Sequence, residues 1–229
     1  MRKAIHVMMF VPGLFALALA GCTYNIIPRT YSAEPIEAWV RDADSGQPVV
    51  GAVVAAQWVL IGGLHTDQVG ELVVMEASTD LNGRFYFPGW GPTTATKGSL
   101  SYQSPEILIF KSGYKYRRLT NKFSTEMLPS GKVSSEWNKK ILKIDRFKGN
   151  LEDYENQLRG LYLRIGWAYY NASCEWRKIP NLLAELQRQR KVFLENNVRT
   201  RIISASFLVP EKGKEDHCGA KDYFHEDMK

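Results

Sequence analysis

Three cysteines and four histidines hold most of the reactive chemistry in this 229-residue chain: Cys22, Cys174 and Cys218, with His6, His65, His217 and His225. Their spacing is poor in catalytic pattern. His65 has no second histidine or cysteine close in sequence and reads as an exposed loop residue. His217 and His225 share the C-terminal stretch with Glu215, Asp216, Asp222, Glu226 and Asp227. These are ligand types, but their spacing fits no zinc pattern. The stretch therefore reads as a solvated tail, with no metal and no cofactor expected. No G-x-S-x-G, H-E-x-x-H or Walker sequence is present. Tyr114-Lys115-Tyr116-Arg117-Arg118 interleaves aromatics with cations, a pattern that binds phosphates or bases through charge and stacking. The same alternation also suits an edge strand with one face in water, where lysine blocks further pairing. No catalytic constellation emerges, and the expectation is a protein that is not an enzyme.

The N-terminus carries a more specific signal. Arg2 and Lys3 form a positive region, residues 7–20 an apolar one, and Leu19-Ala20-Gly21-Cys22 follows. The apolar run is too short to span a bilayer, which takes about 20 residues, and small residues follow it. This arrangement resembles a bacterial lipoprotein signal. The resemblance implies cleavage after residue 21, lipid on Cys22 and a membrane anchor without a spanning helix. Thr23 after the cysteine favours the outer membrane, with the domain facing the periplasm. Residues 22–35 read as a tether. Export places the chain in an oxidising compartment. With Cys22 taken by lipid, Cys174 and Cys218 are expected to form one disulfide that ties the tail to the helices.

The elements that must position these residues begin with residues 36–145. Ile36, Ala38 and Val40 alternate with Glu37, Trp39 and Arg41, the period of a half-buried strand. Asp42-Ala43-Asp44-Ser45-Gly46-Gln47-Pro48 is a dense set of turn formers. Residues 49–58 and 72–77 are apolar strand candidates, and residues 59–70 between them read as a long hairpin loop. Asp80-Leu81-Asn82-Gly83 reads as a tight turn with Asn82 and Gly83 suited to positive φ, followed by the strand Arg84-Phe85-Tyr86-Phe87. Residues 91–104 read as a loop, 107–110 as a buried strand and 136–145 as a closing strand. The D-A-D-S-G-Q-P turn, Gly51-Ala52-Val53-Val54, Thr79-Asp80-Leu81-Asn82-Gly83-Arg84-Phe85 and Lys111-Ser112-Gly113-Tyr114-Lys115 together resemble the carboxypeptidase regulatory-like domain. That resemblance implies an antiparallel, transthyretin-like β-sandwich used as an accessory module. It does not imply peptidase activity.

After Gly149 the period changes. Leu151, Tyr154, Leu158, Leu161 and Ile165 recur at helical spacing, and acidic residues crowd the first turn, predicting a helix over 151–170. A second helix starts near Pro180, with an apolar stripe of Leu182, Leu183, Leu186 and Phe193. Its cations Arg188, Arg190 and Lys191, with Arg199 beyond, read as a solvated face. Residues 146–229 are too few to bury much surface alone, so the helical part is expected to pack on the sandwich. The fold class is therefore mostly β with α. The formal charge of +6 falls by two with the leader and is no nucleic-acid footprint. The function that fits is a lipid-anchored envelope protein, binding or scaffolding through its sandwich, with an unknown protein or glycan partner. Glycan binding is the alternative, for which Trp39, Trp58, Trp90 and Trp137 are candidate stacking residues. A hydrolase with an unrecognised site is the third.

Overall fold

The computed structural model describes residues 29–63, 67–122, 132–169, 174–211 and 213–225. Two continuous apolar runs lie at its centre. β3 (Val53–Gly62) and β8 (Glu106–Phe110) pair antiparallel, with every residue of β8 and the first six of β3 buried. β4 (Asp67–Ser78) flanks β3, and β9 (Arg117–Leu119) flanks β8. Strands buried on both faces lose the usual alternation, and both faces here are covered. Val54, Ala56, Trp58, Leu60, Ile107 and Ile109 point into one core, while Val53, Ala55, Leu108 and Phe110 point into another.

The first core is the interior of the sandwich. β2 (Ile36–Asp42) buries every second residue from Ile36. It pairs antiparallel with β5 (Arg84–Phe87) and parallel with β11 (Ile141–Ile144). A third sheet joins β1 (Arg29–Ala33), β6 (Trp90–Ala95) and β10 (Lys132–Val133), while β7 (Ser99–Leu100) pairs β3. The β10–β1 pair is also parallel. Mostly antiparallel pairing therefore holds, with these two exceptions.

Several local expectations differ from the structure. Within the stretch expected as a tether, residues 29–33 are strand, and Tyr31 and Ala33 are core. Residues 22–28 lie outside the described residues. The expected loop over 91–104 contains β6 and β7. The closing strand narrows to four residues. The long insert is mostly hairpin, since β3 and β4 stay paired to Gly62↔Asp67. In the turn at residues 80–83, Gly83 alone takes positive φ, +71°.

The motif residues converge on Asp42, which is 2% exposed. Its Oδ1 accepts from Asp44 N, Ser45 N and Ser45 Oγ. Its Oδ2 accepts from the Tyr114 hydroxyl at 2.9 Å and pairs with Arg146 Nε at 2.8 Å. Chiefly through the Ser45 backbone N–H, these donors hold its carboxyl well below the usual carboxylate range.

The second core is built by the helices. α1 (Leu151–Arg164) is capped by Asn150, whose Oδ1 accepts from Asp153 N at 2.8 Å. It lays Tyr154, Leu158 and Leu161 against the sheet. The helix stops at Arg164, short of the expected end near 170. A 3-10 turn, Gly166–Tyr169, follows, and the glycine there is a poor helix former. α2 (Pro180–Glu195) starts at Pro180 as expected. Its preceding residue, Ile179, has no side-chain acceptor, so a β4 side chain supplies one. Glu76 accepts from Asn181 N at 2.9 Å and Leu182 N at 2.7 Å. Burial raises the Glu76 pKa while those N–H groups oppose the rise.

The tail is less solvated than its composition suggests. Cys174 and Cys218 are disulfide-bonded with Cα atoms 5.4 Å apart. Ala220, at the start of α3 (Ala220–Tyr223), and Phe224 are buried, and Phe224 packs against Trp176. A bridge closing a loop of 44 residues stabilises by about 4 kcal/mol in the chain-entropy model. The helical segment thus packs on the sandwich as expected, and Val53, Ala55, Leu108 and Phe110 belong to its core.

Two outcomes follow. At Gly83 a Cβ would overlap the Val40 carbonyl oxygen, whose strand is held by Val40 N donating to Gly83 O at 2.7 Å. Gly83→Val is expected to lose at least about 1–3 kcal/mol from backbone strain, read as a lower denaturation midpoint with unchanged m-value. Asp42 has a depressed folded pKa. Its stabilisation is therefore full above its ordinary value of 3.8 and is lost as pH falls below it. Asp42→Asn should be clearly less stable than the parent at pH 7, and the gap should shrink between pH 4 and pH 2. Urea melts of both proteins across that range read the effect.

Candidate functional site

A broad concave surface lies where α1 ends against the edge of the central sheet. The residues at positions 158, 161 and 165 turn inward, which leaves Gly160, Leu163 and Arg164 at the rim. Across the sheet, Arg118 pairs in register with Leu108 and so shares its helix-facing side. Glu106, two residues earlier on β8, also faces this way. It is 6% exposed, and its Oε2 meets Arg118 Nη2 at 2.6 Å and Arg164 Nη1 at 3.5 Å. Two guanidinium forks thus share one buried carboxylate and retain a net positive charge.

Arg118 and Arg164, held by Glu106 behind them, form one wall of an open groove of about 920 Å³, completed by residues 68–71, Tyr116, Leu163 and Trp167. A smaller recess of about 130 Å³, reaching Ser101, Gln103 and Thr120, continues behind the arginines. Gln68 Nε2 donates to Glu71 Oε1 at 2.7 Å, and burial lifts the Glu71 pKa. Lys178 Nζ stands 5.9 Å from the Trp167 ring centroid. Leu163 is 69% exposed. The groove therefore combines aromatic walls, planar hydrogen-bonding side chains and the apolar Val69 and Leu163. Such a set suits a polar ligand with a flat apolar face.

The aromatic–cationic run divides between two jobs. Tyr114 turns inward to Asp42 and is structural. Arg117 Nη1 donates to the Lys143 carbonyl. Tyr116 and Arg118 enter the groove. The four tryptophans form no exposed platform: Trp58 is 1% exposed and meets Trp90 edge-on with centroids 5.3 Å apart, and Trp137 packs on the sandwich core. Trp39 is partly buried on the outer face of β2. Arg188 and Lys191 of α2, and Arg199 beyond it, are exposed as a solvated face requires; Arg188 also pairs with the buried Glu185 at 2.6 Å, and Arg190 is partly buried. Cys22 and His65 lie outside the described residues. His217 and His225 are exposed in the tail. Cys174, His217 and Cys218 form the one group of metal-ligand types found among the described residues, and the two sulfurs are bonded to each other.

Sequence reading missed Gln68, Glu71, Glu106, Leu163, Arg164 and Trp167, which converge only in the fold. One residue did offer a signal. Gly160 interrupts a helical pattern, which costs about 1 kcal/mol relative to alanine unless close packing requires it. The Tyr116 hydroxyl occupies the place of its missing Cβ.

No protein-family model matches the chain, and no curated protein does. Among solved structures the chain is similar to 3-chlorocatechol 1,2-dioxygenase from Rhodococcus opacus 1CP, at 12% identity and TM-score 0.32, covering 53% of this chain and 62% of that one. It is similar to catechol 1,2-dioxygenase from Acinetobacter radioresistens, at 13% identity and TM-score 0.29, covering 53% of each chain. It is also similar to a 9R-lipoxygenase from Cyanothece PCC8801, at 9% identity and TM-score 0.27, covering 87% of this chain and 28% of that one. The chain spans between half and two thirds of the length of these two dioxygenases. Likeness at these TM-scores carries no argument about activity.

Gly160→Ala tests how the groove is built. The new methyl must displace the Tyr116 ring, costing about 1–3 kcal/mol as overpacking. Removing the hydroxyl as well, in Gly160→Ala with Tyr116→Phe, should recover part of that loss. A double-mutant cycle from thermal melts measures the coupling.

Proposed function

We propose that this protein is a non-catalytic, lipid-anchored protein of the cell envelope that binds its partner through the groove between α1 and the central sheet. The observation that carries the reading is the Arg118–Glu106–Arg164 cluster beside Tyr116 and Trp167. Its ionisable groups are engaged with one another, an arrangement that suits holding a ligand better than transferring protons. Anchoring rests on the resemblance of residues 1–22 to a lipoprotein signal. Thr23, which follows the cysteine, favours the outer membrane with the domain facing the periplasm, as part of the same proposal.

The composition of the groove favours a second, more specific reading, that the partner is a saccharide of the envelope. Aromatic rings stack on the apolar face of a pyranose, and Arg, Gln and Glu offer the paired hydrogen bonds that neighbouring hydroxyls need. The tryptophans that suggested glycan binding from sequence are not the ones that support it. Trp167, together with Tyr116, takes their place.

Two experiments test these readings separately. Cys22→Ala is expected to accumulate as an unlipidated precursor, and normal maturation with normal membrane fractionation would defeat the anchoring. Full-length protein should be retained by peptidoglycan or envelope polysaccharide, with Arg164→Ala weakening retention by roughly tenfold as a contact residue would. If no saccharide is retained while crosslinking from position 163 captures a protein, the saccharide reading falls and the binding reading stands.

A further inference from the structure

The disulfide sits beside a third ligand that the bond itself does not require. The sulfurs of Cys174 and Cys218 and the imidazole of His217 all lie within 4.8 Å of one another. They come from two places in the chain. Cys174 precedes the 3-10 turn Glu175–Lys178 with a left-handed backbone, φ 53°. His217 and Cys218 lie on the turn that enters α3, where Asp216 Oδ2 accepts from Lys221 N at 2.7 Å. Arg177 Nε donates to the Cys218 carbonyl at 2.9 Å and links the two segments independently of the bridge. Cys218 is buried, Cys174 partly buried and His217 exposed. The corner thus has a closed side and an open side.

We propose that reducing this disulfide converts the corner into a site for a thiophilic divalent cation of the zinc class, held by two thiolates and one imidazole. A reductant of the dithiol or phosphine class supplies two electrons and is itself oxidised. Cys174 and Cys218 each take up a proton and become thiols. The cation then displaces both thiol protons to solvent. Sulfur and imidazole ligands select such ions, and tetrahedral geometry leaves a fourth position for water on the exposed side. Ligand atoms in such a site stand roughly 3.3–3.8 Å apart, given the usual zinc–sulfur and zinc–nitrogen distances, so rotation of side chains suffices to assemble it. In the oxidised protein no thiolate exists and the cation is refused. Redox state therefore gates metal uptake.

Cadmium serves as the probe, because its thiolate complexes absorb in the ultraviolet. The full chain is used with Cys22 lipidated or replaced by Ser. Phosphine-reduced protein, freed of reductant without oxygen, is expected to bind one equivalent of Cd²⁺ and to melt at a higher temperature with it. Oxidised protein should show no such absorbance. His217→Ala, a change at an exposed position, should weaken binding by roughly tenfold or more. The proposal is overturned if the reduced protein binds no cadmium. It is equally overturned if oxidised protein binds as well, or if His217→Ala binds with parental affinity. Should reduction unfold the chain, failure of Cd²⁺ to restore the melting transition overturns it too.

Discussion

A carboxylate sealed from water must find its hydrogen bonds inside the protein, and the way Asp42 finds them organises this fold. One oxygen gathers its own turn, through Asp44 and Ser45. The other reaches the Tyr114 hydroxyl and Arg146, 72 residues and more along the chain. Tyr114 belongs to the turn Lys111-Ser112-Gly113-Tyr114, and each residue there has its own attachment. Lys111 Nζ donates to the Gly51 carbonyl. Ser112 donates to Glu185 and Gln189 of α2. Gly113 N donates to the Tyr154 hydroxyl of α1, which in turn donates to the Tyr114 carbonyl. One turn therefore fastens the sandwich on one side and both long helices on the other.

That fastening is needed because the central sheet has no solvent-ready face. β3 and β8 carry apolar side chains in both directions, so the sandwich alone would leave Val53, Ala55, Leu108 and Phe110 in water. Fully burying each larger side chain is worth roughly 1.5–3 kcal/mol. The helices supply that cover and are in turn stabilised by it. Glu76 shows how far the two parts are merged, since the sheet provides the acceptor that the start of α2 lacks. Sandwich and helical segment share a core, so a boundary near residue 145 marks a change of secondary structure rather than of folding unit.

This also explains what could be read in advance. The alternation of residues 36–41 and the helical spacing from Leu151 are local signals, and the corresponding elements begin where those signals place them. The apolar runs at 49–58 and 107–110 announced strands, and the structure covers both of their faces. By contrast β1 and β6, rich in Thr, Ser and Gly, carry weak periodicity and owe their structure to each other. Parallel pairing of β11 with β2 is set by the path of the chain around the sandwich, which no local pattern records. The groove was hidden for the same reason. Glu106, Arg118, Arg164 and Trp167 come from four elements, and only Tyr116 and Arg118 lay in a stretch whose composition invited attention.

The groove and the disulfide corner come close together at Trp167. Trp167 belongs to the 3-10 turn after α1, and Lys178 Nζ stands 5.9 Å from its ring. Lys178 ends the 3-10 turn that Cys174 precedes. On its other side the same turn carries Trp176, which packs against Tyr223 and Phe224 of the tail. The bond to Cys218 thus pins a short segment that stands beside Trp167. Short 3-10 turns have little intrinsic stability, so their positions depend on such attachments. The tail is thus linked, through Trp176 and Lys178, to the aromatic side of the groove at Trp167. A tail that looks like a solvated appendage in the sequence is instead packed, through Phe224 and Tyr223, on the segment behind Trp167.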